Sequence, residues 1–365
     1  MKEPTKNTAT VYMQRVLTLA SYGKGKVSPN PCVGCVIVKN GQVVGEGYHP
    51  YFGGPHAEIM ALKKAGIKAK GATVFVNLEP CTHWGKTGPC APALIEAGIA
   101  KVVIATHDPN PKVHFRGIRM LRRAGIKVVV GLEGEAAKNI NRTYFTWIQK
   151  NRPYVILKSA MTLDGKIASY QGKSKWITTP ASRRLVHHLR SESDAILIGA
   201  TTAQCDNPKL TSHGKGPNPL RIVLDPLLRT PSSLRLYNEK KGSTLIVVSK
   251  RANRHRIQKF ERKGNEVLVL PYKNRTFKIK DLLKILAKRN VTQLLIEGGG
   301  TTNWSFLKNR SVDEIYLFIA PKILGGAQAA TVVDGQGWPS PKKVPRLSSL
   351  VINRFGSDIL IHGRF

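Results

Sequence analysis

The strongest constraint on the fold of this 365-residue chain is a regular alternation of short apolar segments with segments of helical periodicity. The apolar segments have the length and β-branched composition of strands, and the segments between them repeat every three to four residues. In the first half, the predicted strands are CVGCVIVKN, GQVVGEGYH, ATVFVNL, KVVIATHD and IKVVVG. Strands that alternate with helices are typical of an α/β fold with a partly parallel sheet.

Local signals refine this prediction. The Asn40-Gly41 pair between the first two predicted strands favours a two-residue hairpin turn. A helix is predicted over residues 57–65, because Gly66 supplies a C-terminal cap. Two further helices are predicted from the segments APALIEAG and GIRMLRRAG.

The pattern restarts near residues 150–152, where a predicted helix ends, Pro153 follows and a new strand, YVILKSA, begins. We therefore predict two domains, residues 1–150 and 151–365, each long enough to bury its own core. In the second domain the further predicted strands are DAILIGA, PLRIVLD, TLIVVS, EVLVL, QLLIEGG and EIYLFIAPKIL. Helices are predicted near residues 180–191, 278–289 and 301–308, and the Gly- and Pro-rich segment 205–219 is predicted to be a loop.

The net charge of +36 is the unusual feature of the composition. Residues 1–150 carry 21 basic and 8 acidic side chains, and residues 151–365 carry 37 and 14, so the excess is not a basic tail. A positive field attracts anionic small molecules as well as nucleic acids. Because no RNA-binding signature accompanies the charge, we favour a solvated, Lys-rich surface over a dedicated nucleic-acid face.

Other features of the composition exclude several classes of protein. No apolar run is long enough to span a membrane, and Gln14 and Arg15 interrupt the N-terminal segment VYMQRVLTLA, so we expect neither a membrane anchor nor a signal sequence. Five cysteines are too few for a disulfide framework, and the odd number favours metal or structural roles. The expected location is the cytoplasm.

The segment GGPHAEIMAL, residues 53–62, contains a His and a Glu two positions apart at a predicted helix start. Side chains at i and i+2 on a helix point about 200° apart, so they share a site only if His56 precedes the helix. The preceding Gly-Gly-Pro allows this. His56 is then a candidate metal ligand, and Glu58 faces the ion without being forced to bind it.

The remaining ligand candidates lie in LEPCTHWGKTGPCAPALIEAG, residues 78–98. Cys81 and Cys90 each follow a proline, and Cys90 begins a predicted helix whose N-terminus favours a thiolate. One His and two thiolates provide three ligands for zinc and leave a fourth position for water. In this arrangement Glu58 is a candidate to shuttle the proton of the water. A His-x-Glu pair with two cysteines is typical of zinc nucleobase deaminases.

A closed structural zinc site with His83 as the fourth ligand is the alternative, but such a site has no need of Glu58. Cys32 and Cys35 begin a predicted core strand, and we interpret them as buried thiols. The remaining cysteine and several histidines show no partner spacing, and we interpret them as surface or packing residues: Cys205, His107, His114, His187, His188, His255 and His362.

The second half contains no Gly-x-Gly-x-x-Gly motif, so a Rossmann fingerprint is absent from the sequence. Instead, QLLIEGGGTTNWSFL joins an apolar strand to three glycines and a predicted helix. The backbone amides of such a turn can approach a phosphate group closely. Taken alone the signal is weak, because glycines after a strand are often only a turn.

The nine-residue separation of Cys81 and Cys90 in EPCTHWGKTGPC is longer than in deaminases that carry Pro-Cys-x-x-Cys. Together with NPCVGCVIV, GEGYH and GGPHAE, it resembles the deaminase domain of the bifunctional riboflavin-biosynthesis deaminase-reductase family. In the second half LKSAMTLDGKIA, SKWIT, GATT, DNPKLT, RIVLDP, IEGGGTTNWSFL and IAPKILGG occur in the order of the family's reductase domain. The resemblance covers nearly the whole chain.

The resemblance implies a cytidine-deaminase-like α/β/α zinc domain followed by a dihydrofolate-reductase-like α/β domain. The first is expected to deaminate 2,5-diamino-6-ribosylamino-4(3H)-pyrimidinone 5′-phosphate, and the second to reduce the ribosyl group to ribityl with NADPH. In the first domain, Asn30 and His49 match positions facing the pyrimidine and ribose, and His83 and Lys86 match positions on the phosphate side. A turn before Pro31 is the alternative explanation for Asn30.

In the second domain, the residues that match cofactor positions are Ala160, Trp176, Thr202, Asp206, Pro226, Gly299, Gly300, Thr301, Thr302, Asn303, Trp304 and Ser305. Those that match substrate positions are Ser174, Arg190, Leu210, His213 and Glu297. Arg190 is the expected partner of the 5′-phosphate. Lys158 and Asp206 are candidate catalytic residues, with Glu297 as polar support, although each is also compatible with a surface ion pair or a loop cap.

The chain departs from the family at two positions. His213 stands where the family usually has Arg after its Asp-Asn-Pro-x-Leu-Thr run, so one phosphate contact is in question, with Lys215 as a possible substitute. Phe115 stands where the family usually has a small residue. We expect a packing change there and no loss of activity.

The sequence predicts a bifunctional enzyme that acts on a phosphorylated pyrimidine with zinc and NADPH, and two other functions are the alternatives. A tRNA or nucleic-acid base deaminase is compatible with the charge, but the cysteine spacing and the ordered second-domain motifs oppose it. A zinc-stabilised binding module without catalysis leaves Glu58 without a role. We expect a homo-oligomer, without membrane or nucleic-acid partners.

Overall fold

The computed structural model describes residues 6–239 and 242–365. The chain divides into two compact units, Met1–Asn151 and Arg152–Phe365. The helices and strands of the first unit are α1 (Lys6–Ser21), β1 (Gly34–Lys39), β2 (Gln42–Tyr48), α2 (Ala57–Ala65), β3 (Thr73–Leu78), α3 (Cys90–Glu96), β4 (Lys101–Thr106), α4 (Arg116–Arg123), β5 (Lys127–Val130), α5 (Gly134–Ile140) and α6 (Arg142–Lys150). A short 3-10 helix, Gly66–Ala69, follows α2.

The described strands of this unit form one sheet in the order β2-β1-β3-β4-β5. Strand β1 runs antiparallel to β2 and β3, and the β3, β4 and β5 strands are parallel. Apolar side chains of α2, α3 and α4 pack on one face, and those of α1 and α5 pack on the other. The unit is therefore an α/β/α sandwich, as the alternation of strands and helices predicts.

Helix α2 lies very close to strand β2, because β2 has glycines where the two elements meet. A Cβ atom at Gly47 would lie 2.5 Å from Met60 Cβ and 2.7 Å from the Ala57 carbonyl oxygen. At Gly45 it would lie 2.9 Å from Ala65 Cβ. Any side chain at these positions would push the helix away. The glycines of GEGYH thus allow α2 to pack directly on β2.

The helices and strands of the second unit are β6 (Tyr154–Thr162), α7 (Pro180–Glu192), β7 (Ala195–Gly199), α8 (Ala200–Asp206), β8 (Leu220–Leu224), α9 (Arg235–Asn238), β9 (Thr244–Val248), α10 (Arg254–Arg262), β10 (Glu266–Val269), β11 (Tyr272–Lys273), β12 (Thr276–Phe277), α11 (Ile279–Lys288), β13 (Gln293–Ile296), α12 (Gly300–Lys308), β14 (Glu314–Ala320), β15 (Ser349–Phe355) and β16 (Asp358–Arg364). A 3-10 turn, Pro341–Lys343, precedes β15.

In the described part of this unit, the main sheet has the order β10-β9-β8-β7-β13-β6-β14-β16-β15, and β11 and β12 form a separate hairpin. The strands from β10 to β14 are parallel, whereas β16 and β15 are antiparallel additions at one edge. Two large hydrophobic clusters bury the parallel strands, because alternate side chains of each strand contribute to different clusters. The carboxyl ends of β7, β13 and β6 consequently lie side by side.

Most of the predicted elements are confirmed, and α2 has the predicted bounds. The turn at Asn40-Gly41 is also present, with φ values of 52° and 79°. Helices α1 and α5, the short helices α8 to α10, the β11–β12 hairpin and the two C-terminal strands were not predicted. Over residues 6–239 and 242–365, no helix combines the length and the apolar character needed to cross a membrane.

Candidate active sites

Three predicted metal ligands meet in the first unit. His56 immediately precedes α2, Cys81 follows β3, and Cys90 is the first residue of α3. Their ligand atoms all lie within 4.8 Å of one another. His56 Nδ1 is 3.0 Å from Cys90 Sγ and 3.5 Å from Cys81 Sγ. The sequence prediction of a His-Cys-Cys cluster is matched by this geometry.

The backbone around the cluster explains how the ligands converge. His56 has φ −72° and ψ 158°, so it lies outside the helix, as predicted from the i and i+2 geometry. The Ala91 amide donates to the Cys81 carbonyl oxygen at 3.0 Å, and the Cys90 amide donates to Cys81 Sγ at 3.4 Å. These bonds hold the loop that carries Cys81 against the first turn of α3.

The three side chains fit a zinc ion. Ligand atoms around tetrahedral zinc lie roughly 3.5 to 3.8 Å apart, and the separations of 3.5 Å between His56 and Cys81 and 3.0 Å between His56 and Cys90 are close to this range. A hydrogen bond from Cys90 and the nearby His56 lower the pKa of Cys81 to about 4, which favours a thiolate. Three protein ligands leave a fourth position open, as in catalytic zinc sites.

Glu58 lies beside this cluster and is almost fully buried, with 3% of its surface exposed. Burial and the neighbouring Cys81 raise the pKa of its carboxyl group, and it interacts with the Cys90 thiol. It is not one of the three clustered ligands. Its position is that of a group that can exchange protons with a molecule held at the open fourth position.

His83 does not complete a closed zinc site. Its side chain is exposed, and the metal-ligand cluster found among the described residues comprises only His56, Cys81 and Cys90. The geometry therefore does not support the alternative of a structural zinc knuckle. Cys32 and Cys35 are buried, as predicted.

Asn30 and His49 lie close together, with Asn30 Nδ2 3.1 Å from His49 Nε2. His49 Nδ1 donates to the Pro55 carbonyl oxygen at 3.0 Å, which leaves Nε2 to accept from Asn30. Burial lowers the pKa of His49, so its ring is neutral. The ring lies 5.4 Å from that of His56. Asn30 therefore has a side-chain partner in addition to its place before Pro31.

Lys86 is an exposed residue of the loop between the two cysteines. Its Nζ lies 4.0 Å from the centroid of the Phe52 ring. Its aliphatic chain passes over Gly53, where a Cβ atom would lie 2.9 Å from Lys86 Cδ. The ring and the glycine together hold the ammonium group over the loop that leads to His56.

Glu79 is a residue that the sequence analysis missed. It is 3% exposed, and its carboxylate accepts the backbone amides of Asp108, Phe115 and Ile118 at 3.3, 3.1 and 3.2 Å. These bonds fasten the segment before Cys81 to the start of α4. The sequence signal was its place directly before Pro80 in the Glu-Pro-Cys motif.

Phe115 has φ 57°, a left-handed conformation in which a glycine has no steric cost. This conformation is compatible with the small residue that the resemblance implies for the family at this position. Its ring packs on those of His107 and His114, with centroids 5.2 and 4.4 Å away. The change predicted at this position is therefore one of packing, and these two histidines are packing residues.

In the second unit, a cleft of about 1260 Å³ opens at the carboxyl ends of the parallel strands. It contains most of the predicted reductase residues. These are Lys158, Ala160, Ser174, Trp176, Arg190, Thr202, Asp206, His213, Pro226, Glu297, Gly299, Gly300, Thr301, Thr302 and Ser305. A site of this kind at the carboxyl edge of a parallel sheet is a common place for a ligand.

Glu297 is the centre of a buried ion cluster in the cleft. Arg190 contacts it through Nε at 2.6 Å and Nη2 at 2.9 Å, and Lys158 Nζ lies 3.5 Å away. Burial alone would raise the pKa of Glu297, but the two cations lower it to about 2. The cluster therefore remains charged, with two cations and one carboxylate.

Asp206 belongs to a second polar group on the cleft wall. Its carboxylate accepts a short hydrogen bond from the Ser174 hydroxyl, and its carbonyl oxygen accepts from Lys175 Nζ at 3.1 Å. The two candidate catalytic residues of this unit thus have different partners. Lys158 is paired with Glu297, whereas Asp206 anchors the segment that carries Ser174.

The first turn of α12 fits a phosphate group of a dinucleotide. Its first helical bond is donated by Asn303 to Gly299, so the preceding amides have no partner within the helix. Thr302 packs where side chains at Gly199 and Gly298 would otherwise lie, with distances of 2.7 and 2.6 Å to ideal Cβ positions. The glycines therefore let the ends of β7 and β13 approach α12.

Three predicted residues are not part of the cleft lining among the described residues: Leu210, Asn303 and Trp304. Leu210 packs in the hydrophobic core. Asn303 is fully buried and donates to the Val332 carbonyl oxygen at 2.8 Å, while Trp304 packs on Trp338. The side chains of these three residues therefore pack inside the unit and do not line the cleft.

His187 is a residue of the cleft that the sequence analysis interpreted as surface or packing. Its ring lies against His213, with ring centroids 4.0 Å apart. The two residues lie 26 positions apart in sequence, so their spacing contained no signal. Cys205 also lines the cleft.

Comparison with known proteins gives two family matches. Residues 6–106 match the cytidine and deoxycytidylate deaminase zinc-binding region, and residues 153–361 match the RibD C-terminal domain. The riboflavin biosynthesis protein RibD of Aquifex aeolicus is 44% identical over 352 residues, which covers 96% of each chain.

Two solved structures resemble the whole chain. Acinetobacter baumannii RibD has a TM-score of 0.90 and 34% identity, covering 98% of this chain and 99% of that one. The second is a diaminohydroxyphosphoribosylaminopyrimidine deaminase/5-amino-6-(5-phosphoribosylamino)uracil reductase from Thermotoga maritima. It has a TM-score of 0.86 and 36% identity, and the match covers 99% of each chain.

Proposed function

The chain belongs to the RibD family of riboflavin biosynthesis proteins, and from this we propose how its two units divide the family's two reactions. The protein is a bifunctional deaminase and reductase that uses zinc and NADPH. We assign hydrolytic deamination of 2,5-diamino-6-ribosylamino-4(3H)-pyrimidinone 5′-phosphate to residues 1–150. We assign reduction of the resulting ribosyl group to ribityl to residues 151–365.

The observation that carries the first assignment is a buried Glu58 beside three convergent metal ligands. His56, Cys81 and Cys90 would hold a zinc ion, which would supply the Lewis acidity that makes a water molecule a nucleophile near neutral pH. Glu58 moves a proton from that water to the departing amine, which leaves as ammonia. Asn30 and His49 orient the pyrimidine and ribose, and Lys86 and His83 lie toward the phosphate.

In the reductase cleft, the first turn of α12 and the end of β7 would hold NADPH, which would supply the hydride. The acceptor is the imine carbon of the ring-opened ribosylamine, and its nitrogen must gain a proton. Lys158 is the candidate proton donor, and Glu297 holds its ammonium group in the cleft. Asp206 orients Ser174 toward the substrate, and Arg190 and His213 receive the phosphate.

The test follows both reactions in one mixture. Purified, zinc-loaded protein is incubated with the diaminopyrimidinone ribosyl phosphate, and ammonia release and NADPH absorbance are recorded together. We expect ammonia first and then stoichiometric loss of NADPH. Ammonia without NADPH oxidation would contradict the reductase assignment. If neither signal appears and tRNA binding persists at physiological salt, a nucleic-acid base deaminase becomes the better explanation.

We expect Phe52 to act on deamination through Lys86. A cation-π contact contributes about 1 kcal/mol, so Phe52→Leu should raise the KM of the phosphorylated substrate roughly fivefold and leave kcat unchanged. The same substitution in a Lys86→Ala background should have no further effect, because the cation is gone. An equal increase in KM in both backgrounds would show that Phe52 does not act through Lys86.

We propose that the protein forms a homo-oligomer through strand β15. This strand is at the edge of the main sheet and exposes Leu350, Val351 and Ile352 by 55, 51 and 63%. Unprotected apolar edge strands readily pair with another chain, and the occupant we propose is a second copy.

The mass in solution tests this proposal. Analytical ultracentrifugation should give a multiple of the 40.2 kDa chain, and Ile352→Lys should reduce it to the monomer. A wild-type monomer at micromolar concentration would contradict the proposal.

The use of NADPH supports the cytoplasmic location that the sequence predicts.

A further inference from the structure

Two histidines form a pair in the wall of the reductase cleft. His187 belongs to α7, and His213 lies in the loop before β8. Their ring centroids are 4.0 Å apart and the ring planes are inclined by 43°. Arg190 follows His187 by one turn of the helix, and its Nη1 lies 3.5 Å from the Thr211 carbonyl oxygen. Helix α7, the loop before β8 and the two histidine rings therefore contact one another and form one wall of the cleft.

Carboxylates partly neutralise the cations that act on the ring pair. Arg190 and Lys158 share the carboxylate of Glu297, so two cations face one anion. On the side of the loop, Lys209 also acts on His213, and its Nζ is 3.7 Å from Glu239. A phosphate dianion brings two negative charges, more than the excess that the Glu297 cluster offers.

Both rings are neutral before an anion arrives. Burial, together with His213 and Arg190, lowers the pKa of His187 to about 4, while Glu297 acts weakly in the opposite direction and Lys158 adds to the lowering. Burial, Arg190 and Lys209 lower the pKa of His213. His187 Nδ1 is buried and has no hydrogen-bond partner among the described residues. The pair can therefore bind a proton that it does not carry in the unliganded protein.

We propose that the His187–His213 pair takes up one proton when a phosphate ester binds in the reductase cleft. This deepens the proposed function and rests on it. An opposite charge within about 4 to 6 Å favours the protonated form of an imidazole. His213 is the exposed member and receives the proton. Two imidazolium rings at this distance would repel each other, so the pair holds one proton, and His187 positions the ring of His213.

The sign of the pH dependence follows from this coupling. Because the bound anion raises the pKa of the pair, the added affinity is present below that raised pKa and is lost as the pH increases through it. The charge of the phosphate ester has the opposite effect on affinity at low pH, because the ester loses its second negative charge below about pH 6. At pH 7 about nine-tenths of the ester is still dianionic, so proton uptake by the protein can be measured there.

The experiment is calorimetric titration of the full-length protein at pH 7 with 5-amino-6-ribitylaminouracil 5′-phosphate, in two buffers of different ionisation enthalpy. The difference between the buffers gives the number of protons taken up. We expect at least about a third of a proton for each phosphorylated ligand bound. The dephosphorylated ligand is the matched control and should cause no proton uptake.

Two substitutions at His213 test the assignment of the proton. His213→Arg supplies a permanent cation, so binding should no longer depend on proton uptake. His213→Asn is neutral and suits the left-handed backbone at φ 54°, so it should bind the ester about tenfold more weakly without proton uptake. His188→Gln is the control, since His188 is on the same helix but contacts Glu192 at 3.3 Å outside the cleft.

The possible results separate the inference from the function on which it rests. Binding of the phosphorylated ligand without proton uptake overturns the inference and leaves the reductase assignment intact. Unchanged uptake in His213→Asn also overturns it. Failure of both ligands to bind, in protein that still shows a thermal shift with NADPH, overturns the substrate assignment and with it the inference.

Discussion

Replacement of Glu58 by Gln is expected to lower the rate of ammonia release by a factor of about a hundred to ten thousand, the usual contribution of a general acid-base group. The amide has the size of the carboxyl group but cannot carry a proton between water and the departing amine. His56, Cys81 and Cys90 are unchanged, so zinc content should remain that of the wild type. The reductase activity of the other unit, assayed with the deaminated substrate, should also be retained.

Glu96→Gln is the matched control for this experiment. Glu96 is the last residue of α3, the helix that Cys90 begins, and its side chain is exposed. The substitution removes the same charge from the same unit without touching the metal ligands. It should leave ammonia release unchanged. Wild-type ammonia release by Glu58→Gln would rule out Glu58 as the proton carrier.

The second large effect is expected for Arg190→Ala, which should raise the KM of the reduction at least tenfold. We propose this guanidinium as a partner of the substrate phosphate, and it also neutralises the buried Glu297. Breaking a buried ion pair costs about 3 kcal/mol of stability, with Lys158 as the remaining partner of Glu297. Arg190→Lys should restore part of the stability but not the two-point contact.

The stability loss has a defined pH dependence. In the wild type the pKa of Glu297 is lowered to about 2, so its stabilising contribution is present above the ordinary carboxyl pKa and is lost as the pH falls toward 2. Without Arg190 the carboxyl group protonates at higher pH. The stability gap between variant and wild type should therefore narrow between about pH 5 and pH 3, as measured by denaturant unfolding.

Arg184→Ala is the control for Arg190→Ala, because Arg184 is an exposed residue of the same helix and does not line the cleft. It should change neither KM nor stability appreciably. Ammonia release should be the same in all three proteins. An unchanged KM in Arg190→Ala would remove Arg190 from the phosphate site, whatever the effect on stability.

The extent to which the sequence predicts this structure differs between elements. Helix α2 was predicted with its observed bounds, because Gly-Gly-Pro before His56 and Gly66 after Ala65 mark both ends. Helix α10 was missed, since RHRIQKFER contains few apolar residues, of which Phe260 is buried. Strands β15 and β16 were missed because β16 pairs with β14 across a long segment that has little regular structure, and β15 in turn pairs only with β16.

The direction in which each side chain points also limited what the sequence could predict about the candidate sites. The motif IEGGGTTNWSFL predicted the turn that begins α12, but on a helix only part of the circumference can face one cleft. Gly299 to Thr302 face it, whereas Asn303 and Trp304 point into the protein. Leu210 lies in the predicted loop but fills the core. A linear motif contains no information about which of its side chains face the cleft and which point into the protein.

By itself, the sequence predicted most of the strands and helices, the division near residue 151 and the candidate zinc ligands, because each depends on local spacing, turn residues and ligand chemistry. Only the tertiary structure decided that Glu79 anchors the zinc loop, that Lys158 and Arg190 share Glu297, and that His187 meets His213. These contacts join residues far apart along the chain. Their geometry depends on how sheets and helices pack, and no local pattern encodes it.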